Sequence, residues 1–224
     1  MAYQRTPYVE SKRAEARDRF VEAGLTLLSQ GGWRDVQMSA VAALAGLSTG
    51  ALYLHFPSKT QLLLELYRAQ AGKELAVTTA IAAQPGTARE RLAAAIGSFA
   101  QRALNGGRLS YALVLEPTDN EVEQLRLQFH AEFIALFQKI LDEGRAGGEL
   151  RVADTRVAAA CVFGSITESL LHPLGMAAQA ARAPGDARRG RKVDASALIG
   201  PLVDFCFHGA GCAPPARARR RPSG

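Results

Sequence analysis

Cysteine is scarce in this chain. Its three cysteines, Cys161, Cys206 and Cys212, are an odd number with no metal-ligand spacing, which excludes a disulfide framework and a zinc knuckle and suits a reducing compartment. Cys161 and Cys206 are expected to serve as small buried hydrophobes. His130-Ala131-Glu132 echoes the H-x-E of zinc deaminases, but the P-C-x-x-C that such a site needs does not follow. It is therefore expected on a helix surface, and neither a metal nor a cofactor is implied. Long apolar runs are also missing: no uninterrupted stretch of about 18 apolar residues occurs. The first residues are polar and charged where a secretory signal carries its apolar centre. A soluble, cytoplasmic protein with no membrane segment is expected. Strand-like alternation is absent, and so is any internal repeat of roughly 20 to 50 residues.

What is present is a chain of 224 residues, 48% hydrophobic, long enough for one large core or two small ones. The net charge of +6 is unevenly placed. Lys and Arg number 7 against 5 Asp and Glu in 1–60, 11 against 13 in 61–181, and 9 against 3 in 182–224. The body is slightly acidic, while most of the excess lies in two basic runs, 188–192 and 217–221. The segment 211–224, rich in Pro, Ala and Arg, reads as a disordered basic tail, since a charge run is more often a solvated tail than a site.

The remaining chain is organised around 37–67. Met38, Val41, Ala42 and Ala45 share one face of a helix of about two turns. Gly46 stops that helix in the left-handed conformation, and Leu47 folds back on it. Ser48 starts the next helix as its N-cap, over 49–56. Leu52 and Phe56 face inward with Tyr53 beside them, and Thr49, Gly50, Leu54 and His55 turn to the other side. Pro57 ends this helix, and Ser58 caps a third that begins near Lys59. Two short helices around a glycine turn make a helix-turn-helix, whose second helix enters the DNA major groove N-terminus first. The small residues Thr49, Gly50 and Ala51 let that end approach phosphates and base edges closely.

The run A-G-L-S-T-G-A-L-Y-L-H-F-P-S-K over 45–59 is similar to the DNA-binding signature of the TetR family of bacterial transcription regulators. The resemblance is close over about 50 N-terminal residues and continues beyond them only as a helical layout. It implies contacts to phosphate and bases from Tyr53 and His55, and to phosphate from Lys59. Thr49 stands where many members carry a longer polar side chain. Gln37 replaces a threonine that usually caps the first helix, and Ser39 occupies a variable DNA-facing position. With Ser48, Gly50, Ala51 and Leu54 these form the expected DNA-binding set. Its partner is a double-stranded, roughly palindromic operator.

Two rival readings use the same residues. Gly46-Leu47-Ser48-Thr49-Gly50 spells the G-x-S-x-G of a serine hydrolase, which would make Ser48 a nucleophile. That elbow needs a preceding strand, and the sequence before Gly46 has a helical period. The other rival is a helical interaction protein without specific DNA. No catalytic residue is assigned.

The expected architecture is all-α, with about nine helices read from the period and its breaks: a DNA-binding domain at 1–60 with a loose arm at 1–9, an effector-binding and dimerisation domain at 61–210, and the tail. A first helix runs from about Ser11 to Gln30, with Ala16, Phe20, Ala23, Leu27 and Leu28 inward and Arg13 and Arg17 on another face within reach of phosphate. Trp33 is expected as a core anchor between it and the helix-turn-helix. A long helix over 59–84 links the two domains, and others span 87–105, 108–115 and 120–144, with Asn120 capping the last. Asp154 caps the next, which ends near Leu171 or passes Pro173. A Pro, Gly and Arg loop fills 183–194, and a final helix spans 195–208. An apolar small-molecule effector is expected among Phe99, Tyr111, Leu115, Phe129 and Phe133, in a pocket above roughly 300 Å³. A homodimer is expected through the last two helices, with Ala160 and Gly164 allowing close approach and Leu202 and Phe205 filling the seam.

Overall fold

The computed structural model describes residues 7–182 and 194–209; all but the last residue of the loop expected at 183–194, and the tail expected at 211–224, lie outside them. Nine α-helices and one 3₁₀ turn make up the regular structure among the described residues: α1 Pro7–Gly31, the turn Trp33–Asp35, α2 Met38–Leu44, α3 Thr49–His55, α4 Lys59–Ala82, α5 Ala88–Gly106, α6 Arg108–Val114, α7 Asn120–Ala146, α8 Thr155–Arg182 and α9 Ala195–Gly209. The all-α expectation holds. Residues 7–9 belong to α1 instead of a loose arm, because a proline that opens a helix loses no hydrogen bond there.

Local chemistry sets most boundaries. The Ser48 and Ser58 hydroxyls accept from the amides of Ala51 and Gln61. Thr87 and Glu90 form a reciprocal capping box at the start of α5. Asp154 Oδ1 accepts from the amides of Arg156 and Val157 at 2.9 and 3.1 Å. The α7 cap is Asp119, one residue before the expected Asn120, with extended backbone and no side-chain capping bond. Pro173 removes one hydrogen bond from α8, yet the helix runs on to Arg182. Burial of Leu170, Leu174 and Ala178 on either side holds it together.

Two hydrophobic cores result. One joins α5, α7, α8 and α9 around Leu92, Ile96, Phe137, Ile140 and Ile166. The other joins α1 to α3 with the first half of α4 and runs on into Ala112, Leu113, Val122 and Leu125 of α6 and α7. Helix α4 therefore serves both. The segment Thr155–Gln179 of α8 is the one continuous helix among the described residues long and apolar enough to cross a membrane by length and composition. Its Ala159, Val162, Ile166 and Leu170 are buried in the first core, as in the core helix of a globular body.

Cys206 is buried, and burial pushes its thiol up to about 11. Cys161 is exposed, contrary to expectation: α8 turns Val162 and Phe163 inward and leaves Cys161 on its outer face.

Candidate DNA-binding surface and effector cavity

The turn between α2 and α3 is built as its sequence implies. Gly46 has φ +64°, and the amides of Leu47 and Gly46 donate to the carbonyls of Ala42 and Ala43 at 3.0 and 3.1 Å. That is the paired Schellman closure of a helix C-terminus. The Arg19 guanidinium donates to the Ala45 carbonyl and adds a second stop. As a result α2 and α3 differ in direction by 107°, within the range of a helix-turn-helix. What precedes Ser48 is a helix and this turn, so the strand of a nucleophile elbow is not there.

Leu52 is fully buried beneath α3 and Phe56 behind it. Ser39, Ser48, Thr49, Gly50, Tyr53 and Leu54 are exposed together, and Ala51, His55 and Lys59 are half-buried beside them. Leu54 is 77% exposed. Tyr53 turns outward, so it is a surface side chain and not a companion of the inward pair. A Cβ added to Gly50 would meet only Ser48 Oγ, at 3.9 Å; the chain's own packing does not demand glycine there. Gln37 is exposed and is the N-cap residue of α2, but its side chain makes no capping bond there; its Nε2 donates to the Arg34 carbonyl at 2.6 Å.

His55 lies 5.6 Å from the Phe20 ring. Burial, then the charges of Arg13 and Arg17, hold its imidazole below the usual histidine range. Arg17 is more tied than expected: it pairs with Glu65 at 2.8 Å and lies over the Phe56 ring. It clamps α1 to α4 across the back of α3.

Trp33 is buried as expected, but its partners lie in the body. Its indole Nε1 donates to the Ala112 carbonyl at 2.9 Å, and its ring stacks on Tyr67 at 6.4 Å. Two buried arginines that the sequence did not single out complete this junction. Arg108 donates to the Gly31 carbonyl at 2.9 Å and to both oxygens of Glu116 at 2.7 and 2.8 Å. Arg126 pairs with Glu123 and donates to the carbonyls of Ala112 and Glu116 at 3.2 and 2.8 Å. Gly32, at φ +87°, leaves room for the Arg108 guanidinium beside it. Helix α6 is thus bonded directly to the end of α1.

On its other face α6 borders a cavity between α4, α5, α7 and α8. Phe99, Phe133, Phe163, Ala103 and Leu113 supply the apolar wall; Tyr67, Glu74, Arg102 and His130 supply polar atoms. Of the expected residues, Phe99 and Phe133 meet edge-to-face at 5.1 Å and line it. Tyr111, Leu115 and Phe129 do not. Tyr111 lies beneath the Arg108 guanidinium, Leu115 packs on the body core, and Phe129 sits edge-on to Tyr67 at 5.7 Å. The cavity measures about 90 Å³, well below the roughly 300 Å³ at which ligand pockets usually begin. The expectation of an open pocket of that size is corrected: a ligand has to widen this one.

His130 faces the cavity, its ring 4.9 Å from Phe163, and is no plain surface residue. Burial, then Arg126, lowers its affinity for a proton. The Tyr67 hydroxyl, bonded to Arg126, is pushed up to about 12, chiefly by burial. Sequence periodicity marked α7 and α8 as core but carried no signal pairing Glu74 with Arg102, which are 28 residues apart.

Helices α8 and α9 present an apolar outer face with Val157, Cys161 and Phe205, the last 65% exposed. Ala160 and Gly164 are exposed within it, and a Cβ on Gly164 would meet nothing within 4 Å. Leu202 is 5% exposed and points into the body core. It does not face outward with Phe205 although the two stand three positions apart, because α9 packs on α5 and α8 along the Leu202 side and leaves Phe205 at the edge.

A helix-turn-helix displayed at one end of an all-helical body that encloses a cavity defines a one-component transcription regulator. Residues 20–66 match the model for bacterial regulatory proteins of the tetR family. The fatty acid metabolism regulator protein of Bacillus subtilis is 25% identical over 155 residues, which span 68% of this chain and 80% of that protein. The HTH-type transcriptional repressor KstR of Mycolicibacterium smegmatis is 39% identical over 85 residues, 38% of this chain and 42% of the relative. The solved structure of the regulator FadR from Bacillus subtilis in complex with stearoyl-CoA has a TM-score of 0.69 at 22% identity, covering 86% of this chain and 98% of that one. A tetR-family regulatory protein from Rhodococcus follows at 0.63 and 18%, covering 89% and 98%. Residues 20–66 thus carry the DNA-binding segment of the TetR family of transcription regulators.

Proposed function

We propose that the protein is a cytoplasmic repressor that binds a roughly palindromic operator as a homodimer and releases it when a small, mostly apolar molecule enters the body. The DNA-binding domain takes in 1–60 and the effector and dimerisation domain 61–210. The observation that carries the reading is the exposed, small-residue start of α3, fixed at 107° to α2 by a closed glycine turn. Such a helix end fits the major groove, and a two-fold protein places two of them one turn of DNA apart. In this reading Thr49, Tyr53 and His55 read or approach bases, while Ser48, Gly50, Ala51 and Lys59 meet the backbone; Gln37, Ser39 and Leu54 flank them.

The apolar face of α8 and α9 supports the dimer, as two helices from each subunit would bury Phe205 and Val157. The cavity supports an effector, since α6 borders it and also holds Gly31 and Trp33; a ligand that widens it moves α6 against the DNA-binding domain. Differential affinity of ligand for the two arrangements is what release requires. Stearoyl-CoA, present in a structural relative, is the first probe. The test is selection of operator sequences by the full chain, followed by fluorescence polarisation of the selected DNA with and without that probe. A preferred palindrome and its release are expected; binding without sequence preference would overturn the reading.

A further inference from the structure

The cavity has a charged end. Tyr67, Gln70, Ala71 and Glu74 are successive inward positions of α4, and Phe99, Arg102 and Ala103 those of α5. Across them Arg102 grips Glu74 with two bonds, from Nε at 2.7 Å and Nη2 at 2.8 Å. This is the planar fork with which guanidinium binds any carboxylate or phosphate. Both side chains keep access to solvent, 42% for Arg102 and 24% for Glu74. The cation can therefore be reached from outside, and Glu74 can swing out without being stranded in the core. One turn inward the charge stops, and Phe99, Phe133 and Phe163 pack against one another at 5.1 to 6.0 Å. Beside them the ring of His130 has no hydrogen-bond partner among the described residues.

We infer that the effector is an anionic amphiphile whose head group replaces the Glu74 carboxylate on Arg102, while its apolar chain runs inward between Phe99, Phe133 and Phe163. Glu74 is then a built-in stand-in for the ligand's head. It keeps the guanidinium satisfied when the site is empty and sets the affinity threshold by competing for it. His130 meets the first polar group of the chain, such as an ester or thioester carbonyl. Burial keeps its imidazole neutral, so it can donate one hydrogen bond there without adding charge. This inference rests on the ligand-responsive reading above and adds the charge of the ligand and the residue that reads it. The anionic chemistry has two sources, a free fatty carboxylate or the phosphates of an acyl-CoA.

The experiment uses the full chain with three probes: oleate, stearoyl-CoA and uncharged oleyl alcohol. Binding is followed by titration calorimetry and operator release by polarisation, for the wild type and for Glu74→Gln, Arg102→Gln and Arg102→Lys. At least one anionic probe is expected to bind about tenfold more tightly than the alcohol, as charge-assisted forks exceed neutral contacts. Oleate responding alone identifies the carboxylate, and stearoyl-CoA alone the phosphates. Glu74→Gln should tighten the anionic probe several-fold by removing the competitor, Arg102→Gln should weaken it about tenfold, and Arg102→Lys should recover part of the loss. The alcohol should be indifferent to all three, which a merely structural ion pair would not explain. If the alcohol binds and releases DNA as well as the anions do, and Arg102→Gln changes nothing, the inference falls and the ligand-responsive reading stands. Failure of all three probes to bind also overturns the inference. If the anions bind through Arg102 without releasing the operator, Arg102 is an anion site but the bound molecule is not an effector, and the ligand-responsive reading falls.

Discussion

Replacing Arg108 by methionine tests how the DNA-binding unit is held to the body. Arg108 is 5% exposed, and its guanidinium supplies the bonds to Gly31 and Glu116 described above. Methionine fills much of the volume but leaves the Gly31 carbonyl without this donor and Glu116 without its guanidinium. Breaking a buried ion pair by removing one partner costs about 3 to 5 kcal/mol. The lower end applies, because Glu116 keeps the Trp33 amide at 3.4 Å and its side chain is 13% exposed. A loss of roughly 3 kcal/mol, with an m-value of roughly 2 kcal/mol per molar urea, moves the unfolding midpoint down by about 1.5 M. The assay is urea denaturation followed by far-ultraviolet circular dichroism and by the fluorescence of Trp33, the single tryptophan, at one fixed protein concentration. Because Trp33 sits at the junction, its fluorescence should report the change at the same or lower urea than the helix signal. Glu116→Gln in the Arg108→Met background should recover part of the loss, since the buried carboxylate charge is gone. A midpoint shift below about 0.5 M for Arg108→Met would refute the idea that this junction is a stabilising element.

Gly50→Ala should raise thermal stability slightly, since alanine in a helix is favoured over glycine by up to about 1 kcal/mol and its Cβ is unobstructed. It should nevertheless weaken operator binding in a polarisation assay; unchanged affinity would show that α3 does not approach DNA there. Lys59→Ala should weaken binding to all sequences alike and lower the salt slope by about one, whereas changing Thr49 should alter which operators are preferred. Phe205→Ser should shift the sedimentation profile from dimer toward monomer while leaving helix content intact. For His130 the sign follows from its depressed proton affinity: the unfolded chain takes up the proton first. Its contribution to stability is full above the ordinary histidine value near 6.5 and is lost as pH falls. Urea midpoints should therefore decline from pH 7 to pH 5.5, and less steeply in His130→Gln.

The sequence by itself determined what is local. Gly46 ends α2, Ser48 and Ser58 cap their helices, Thr87 pairs with Glu90, and apolar residues three and four apart mark each inward face. These features act within a turn of helix, so their neighbours along the chain are enough to read them, and the helix-turn-helix with its exposed set was legible for that reason. Tertiary structure decided what distant residues do to one another. Arg108 and Gly31 are 77 residues apart, and whether an arginine is solvated or buried against a carbonyl depends on which helix arrives opposite. The same holds for the cavity: Phe99 and Phe133 were visible as apolar positions, but Phe129, one turn away on α7, turns to Tyr67 because α4 rather than α5 lies over it. Leu202 and Phe205 look alike in a helix that is apolar nearly all round. Only the placement of α9 on α5 and α8 buries the first in the body core and leaves the second exposed.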